Sequence, residues 1–189
     1  MKSFTSPLLE LAGYEEIQKK FRTSSGMTLI SGCVTSQKTH MIYALSDGCS
    51  YTVIVLSDEE KAKKMLEEYR FLDENVCFYP AKDFLFYQAD IHGKELIRQR
   101  IEAIRMMLEK GKEGVTIITT FDAFMDKMVS KESLKEQIMT LKSGDVVDFE
   151  KLTYQISGLG YEREVQVDGP GQFAVRGGIL DIYPLTEEL

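Results

Sequence analysis

The sequence predicts an α/β fold, with a mainly parallel sheet in residues 1–130 and a smaller α+β domain in 131–189. Three observations carry this reading. Short β-branched runs alternate with stretches of helical period through the first part, and strands joined through helices run parallel. Beyond about residue 130 the alternation gives way to a short helix and Gly- and Pro-punctuated strand runs. At 189 residues, 43% hydrophobic and 28% charged, the chain can bury a core without disulfide or metal staples.

The elements follow in order. Ser6 and Pro7 suit the cap and first position of a helix running to Phe21, which Gly13 bends or splits. Met27–Ser31 (MTLIS) is an apolar run between Ser-Gly and Gly, the mark of a buried strand, and a helix over Lys38–Ser46 ends at Gly48. Tyr51–Leu56 (YTVIVL) is a second strand. Ser57 then caps a helix with Glu60 completing a capping box, and its buried face holds Ala62, Met65, Leu66, Tyr69 and Leu72. Val76–Tyr79 is a third strand, stopped by Pro80. AKDFLFYQADIHG has no clean period and reads as an aromatic-rich loop. From Lys94 a long helix follows with Ile97, Ile101, Ile104 and Leu108 at helical spacing, ended by Gly111 and Gly114. Val115–Thr119 is a fourth strand.

In the smaller domain MTLKSGD reads as a strand and turn, and Phe149–Ser157 as a short helix turning Leu152 and Ile156 inward. YEREVQV and QFAVRGGILDIYP read as a β-hairpin around DGPG. Gly177 and Gly178 mark a bulge or a close backbone approach. Arg176 falls on the face of Ala174, with Val175, Ile179 and Ile182 expected inward.

Composition narrows the function. A formal charge of −7 argues against general nucleic-acid binding, because phosphate contact needs a positive field. Cys33, Cys49 and Cys77 form no CxxC pair, and His40 and His92 are far apart, so neither a zinc site nor a disulfide framework is expected. No run of about 18 apolar residues spans a membrane. Acidic residues come too early in the N-terminus for a secretory signal, so the location expected is cytoplasmic.

The most chemical-looking stretch is GCVTSQKT, Gly32–Thr39, which follows a strand run and opens a helix. In a phosphate-binding loop, backbone N–H groups and a helix N-terminus cradle phosphate, lysine neutralises charge and a hydroxyl holds magnesium. Gly32, Lys38 and Thr39 keep the required spacing, but Gln37 stands where a glycine would admit close phosphate approach. The loop reads as a degenerate, vestigial one. Asp58 and Glu59 follow an apolar strand, where an ATPase keeps its magnesium carboxylate, but the first turn of a capped helix favours acids anyway. His92 beside Gly93 is a candidate base, but a lone loop histidine is more often a hydrogen-bonded surface residue. Arg98, Arg100 and Arg105 alternate with glutamates and read as a solvated helix face. Phe78, Tyr79, Phe84, Phe86 and Tyr87 pack the loop onto the sheet more readily than they stack bases.

Three segments together resemble one family: GCVTSQKT, YPAKDFLFYQADIHGKELIRQRIEAI, and GYEREVQVDGPGQFAVRGGILDIYPLTEEL. They are similar to the UvrB-like N-terminal module of the bacterial transcription-repair coupling factors (Mfd), the last segment most specifically. UvrB itself is a relative, but it resembles a working helicase with an intact glycine-lysine-threonine ending, and it carries a DNA-gripping hairpin insertion. Gln37 and the short Pro80–Lys94 interval favour the coupling factor.

The resemblance implies a P-loop NTPase-like, helicase RecA-like lobe with a degenerate loop, followed by a small domain that docks UvrA. It implies recruitment of UvrA to lesion-stalled RNA polymerase in nucleotide excision repair, by a non-hydrolysing module of an ATP-dependent DNA translocase. ATP and magnesium would serve a motor elsewhere in the parent protein. RNA polymerase and double-stranded DNA would engage other domains, and this stretch would hold no catalytic residue, metal or cofactor. On the family motif, Arg176 in VRGG, its neighbour Gly177 and Arg163 in GYER are the implied partner-binding residues. The alternative is a fragment of a UvrB-type ATP-dependent helicase or excinuclease subunit, binding ATP through residues 32–39.

Overall fold

The computed structural model describes residues 4–23, 25–82, 90–110, 113–127 and 139–184, with the side chains of 90–94 outside the description. The chain divides into two compact units: Met1–Lys82 with Gln99–Met125, and Asp83–Arg98 with Asp126–Leu189.

The first unit is an α/β sandwich. A 3-10 turn (Ser6–Glu10) and α1 (Tyr14–Thr23) are split at Gly13, whose φ is 83°. The turn's cap is Thr5 rather than Ser6, with Pro7 in its first turn. Next come α2 (Thr35–Leu45), β1 (Tyr51–Leu56), α3 (Glu59–Arg70), β2 (Val76–Tyr79), α4 (Asp90–Lys110, which enters this unit at Gln99), β3 (Val115–Thr120) and α5 (Phe121–Met125). The strands run parallel in the order β1-β3-β2.

Alternation along β2 explains the two layers. Val76 and Phe78 join Ile54, Ile118 and the Ala62, Leu66 and Tyr69 face of α3. Cys77 and Tyr79 point the other way, into Val115, Ile117, Ala103 of α4 and Ala123 of α5. Tyr43 and Tyr69 meet edge to face with ring centroids 6.0 Å apart. The Tyr69 hydroxyl is bonded to Ser46 Oγ at 3.2 Å and accepts from Thr116 Oγ1 at 3.1 Å, so the buried polar groups here satisfy one another. At Gly114, φ is 92° and a Cβ would lie 3.1 Å from the Cys49 carbonyl, so glycine is needed to enter β3.

Several expectations change. Met27–Ser31 forms no strand: Ile30 packs beside Leu8, Tyr14 and Met41, while Met27 and Leu29 are 96% and 89% exposed. One side of the run is satisfied by helices, without a strand ladder. The α3 cap is Asp58, one residue later than expected, because its carboxylate accepts the Lys61 N–H at 2.9 Å. The long helix begins at Asp90, not Lys94. Its inward seam is Ala103, Ile104, Met106 and Met107, with Ile97 half exposed, since alanine lets the helix approach the sheet closely. Phe84, Phe86 and Tyr87 lie outside the described residues, as do the side chain of His92 and all of Gly111.

The second unit contains α6 (Phe149–Gly158), β4 (Glu162–Glu164), β5 (Gln172–Arg176) and β6 (Ile179–Ile182). Asp148 caps α6 by accepting from Glu150 and Lys151 N–H groups, both at 3.1 Å. Leu152 and Ile156 turn inward as expected, onto Phe173, with Val175, Leu180 and Met139 around them. The strand expected in MTLKSGD is absent. Lys142 and Asp145 bond to each other through a turn, and Leu141 is half exposed.

The hairpin is the main correction. β4 and β5 run parallel, and the antiparallel pair is β5 with β6. DGPG lies between the parallel strands, where Asp168 and Gly169 N–H groups donate to Gln172 Oε1 at 2.9 and 3.0 Å. The chain needs to step back only about 10 Å to restart beside a three-residue strand, so a short connection suffices. Gly177 and Gly178 form the hairpin turn itself, with no bulge. Gly177 has a φ of 60°, as the first central residue of a type II′ turn requires.

Candidate docking hairpin and the loop of residues 32–39

Register sorts the hairpin side chains. Phe173 stands opposite Ile182 and Val175 opposite Leu180 on one face; Phe173, Val175 and Leu180 pack into the core from this face, while Ile182, expected inward, is 41% exposed at its edge. Ala174 stands opposite Asp181 and Arg176 opposite Ile179, which makes the other. The expectation that Arg176 shares a face with Ala174, away from Val175, therefore holds. Ile179 does not point inward: it lies on the Arg176 face and is 61% exposed.

Arg176 ends β5, its side chain 63% exposed, and its Nη2 donates to Asp181 Oδ2 diagonally across the hairpin. Asp181 was not among the expected site residues. Its signal is the Gly177–Gly178 turn, which sets Asp181 two places beyond the residue facing Arg176. Gly177 supplies the backbone angle that turns the chain directly after Arg176.

Arg163 lies apart from this pair. It is exposed in the middle of β4 and in register with Phe173, so it leaves the sheet on the face opposite to Arg176. The structure does not bring the two arginines together.

The loop of residues 32–39 is held by its own side chains. Gly32 is exposed with a φ of 85°, and Lys38 is exposed. Gln37 Oε1 accepts the Val34 N–H at 3.4 Å, at the start of α2. Thr39 is buried, and its hydroxyl donates to Glu68 Oε2 of α3 at 2.7 Å. A magnesium-binding hydroxyl must face the phosphates, whereas this one joins two helices.

Arg98 and Arg105 pair with Glu95 and Glu102 one turn earlier, at 2.9 and 3.0 Å. Arg100 departs from the expected solvated face. It donates to the Pro80 carbonyl at 2.6 Å and to the Tyr79 hydroxyl, with its guanidinium 4.2 Å from the Tyr79 ring centre. It clasps α4 to the end of β2. Phe78 and Tyr79 are buried in the two core layers and offer no stacking platform. Asp58, bonded to the Lys61 side chain and N–H and to Ser57, has its carboxyl lowered to about 2. Burial pushes the Cys77 thiol up to about 12, the state of an unreactive core cysteine.

A cavity of about 340 Å³ opens where β1, β2 and β3 begin, lined by Asp47, Cys49, Asp73, Asn75 and Glu113 among others. Parallel sheets bind ligands at the opposite, C-terminal ends of their strands, and these carboxylates repel phosphate. No helix among the described residues is long and apolar enough to cross a membrane.

The family described as the UvrB interaction domain matches residues 139–189, the stretch that contains α6 and β4–β6. A transcription-repair-coupling factor of Staphylococcus aureus (strain bovine RF122 / ET3-1) is 28% identical over 193 aligned residues, covering 100% of this chain and 16% of its own length. One from Bacillus subtilis (strain 168) is 26% identical over 163 residues, covering 85% of this chain and 14% of its own length. The chain thus spans about one-sixth of the length of such curated relatives. These similarities bear out the resemblance read from the three segments: along its whole length the chain is similar to the UvrB-like N-terminal module of bacterial transcription-repair coupling factors.

Proposed function

We propose that this chain is the part of a transcription-repair coupling factor that recruits UvrA, with the β5–β6 hairpin of its second domain (131–189) as the docking element. The observation that carries the reading is Arg176. It is exposed at the hairpin turn and held by Asp181, inside the stretch matching the UvrB interaction domain. Arginine offers a rigid fork for a partner carboxylate and is enriched at interface hot spots. Gly177 shapes the turn, and Arg163 contributes from the other face as a secondary contact.

In this reading the first domain (1–130) is a P-loop NTPase-like lobe that binds no nucleotide and catalyses nothing. The Gln37 contact to Val34 N–H and the Thr39–Glu68 bond support that part. ATP and magnesium serve a motor elsewhere in the parent translocase. RNA polymerase and double-stranded DNA engage other domains, and the setting is cytoplasmic nucleotide excision repair. Calorimetric titration of UvrA with the chain and its Arg176→Ala variant tests the reading: binding that weakens in the variant supports it.

A further inference from the structure

The face of β4–β6 turned away from Phe173 carries one cation and three carboxylates among the described residues. Parallel register puts Glu162 beside Gln172 and Glu164 beside Ala174, while Asp181 meets Ala174 from β6. Glu164 and Asp181 therefore stand on either side of the fully buried Ala174, about 10 Å from each other, two strand spacings. Arg176 lies one step further along the same face. Glu162 and Glu164 are exposed, and Arg163 between them projects to the opposite side. One arginine against three carboxylates leaves this face net negative by two charges.

Arg176 is not swamped by these acids. Only its Nη2 engages Asp181 among the described residues, and a guanidinium keeps further donors on Nε and Nη1. Ile179 stands opposite Arg176 as an exposed apolar contact beside the turn.

We infer that this face docks on a lysine- and arginine-rich protein surface that presents a single carboxylate to Arg176. The inference rests on the reading of the hairpin as the docking element and adds the chemistry of what it meets. Like charges juxtaposed across an interface are costly, and opposite ones steer encounter. A partner wholly acidic around Arg176's mate would be repelled by Glu162, Glu164 and Asp181. A basic surface would be drawn in, with Arg176 setting the register.

Stopped-flow association with UvrA, measured across ionic strength, tests this on the wild-type chain, Glu162→Gln/Glu164→Gln and Arg176→Ala. The double glutamine variant should associate about threefold more slowly at low salt and show a flatter salt dependence. Its circular dichroism and melting temperature should not change. Glu162→Gln alone is a milder second variant, expected to slow association in the same direction. Association as fast as or faster than wild type in both variants overturns the inference. If Arg176→Ala weakens binding and the glutamine variants do not slow it, the charge complement alone fails. If Arg176→Ala leaves binding unchanged, the docking assignment fails with it.

Discussion

The Thr39 hydroxyl donates to the Glu68 carboxylate at 2.7 Å, joining α2 to α3 through the residue that a working phosphate loop would turn toward magnesium. The bond makes Thr39 a structural residue. Thr39→Val keeps the shape and removes the donor, so urea unfolding should show a loss of about 1 to 2 kcal/mol.

Nucleotide titration follows from the same geometry. The chain should give no saturable Mg-ATP signal, and Lys38→Ala should behave like wild type. Saturable binding that disappears in Lys38→Ala would instead favour the ATP-binding helicase fragment.

Tyr69 ties three elements together through one hydroxyl, since Ser46 follows α2 and Thr116 lies in β3. Tyr69→Phe retains the edge-to-face contact with Tyr43 but leaves two buried hydroxyls with a partner fewer. Thermal unfolding should show a destabilisation of about 1 to 2 kcal/mol, with the circular dichroism spectrum unchanged.

The Asp58 cap carries a pH signature. Its carboxyl is lowered to about 2 by the Lys61 side chain first, then the Lys61 N–H and Ser57. A lowered carboxyl contributes stability that is fully present above the unfolded value, about 3.9, and is lost as pH falls toward 2. Asp58→Asn keeps an N-cap acceptor and deletes the charge. Its melting temperature should lie below wild type at pH 6, and the gap should close between pH 4 and 2. A gap that is constant with pH would contradict the assignment.

Much of the first unit is legible in the sequence because its strands are short, strongly apolar and bounded by turn residues. Val76 and Phe78 against Cys77 and Tyr79 show the two-sided burial directly. MTLIS reads the same way and yet forms no strand among the described residues, since an apolar run does not reveal whether strands or helices cover it. The hairpin was obscured because turn residues occur twice, at DGPG and at Gly177–Gly178, and local pattern does not rank them. Parallel pairing of β4 with β5 is a non-local choice, and it separates Arg163 from Arg176. Arg100 was legible in principle. Arg98 and Arg105 each have a glutamate three residues earlier, whereas the positions three and four before Arg100 are Ile97 and Leu96, so its partner had to lie off the helix.

The most direct test is calorimetry of this chain with UvrA, beside Arg176→Ala. The account predicts measurable binding by the wild type and a loss of about 1 to 3 kcal/mol in the variant, with the fold intact. A well-folded wild-type chain that does not bind UvrA, or a variant that binds equally tightly, would contradict it.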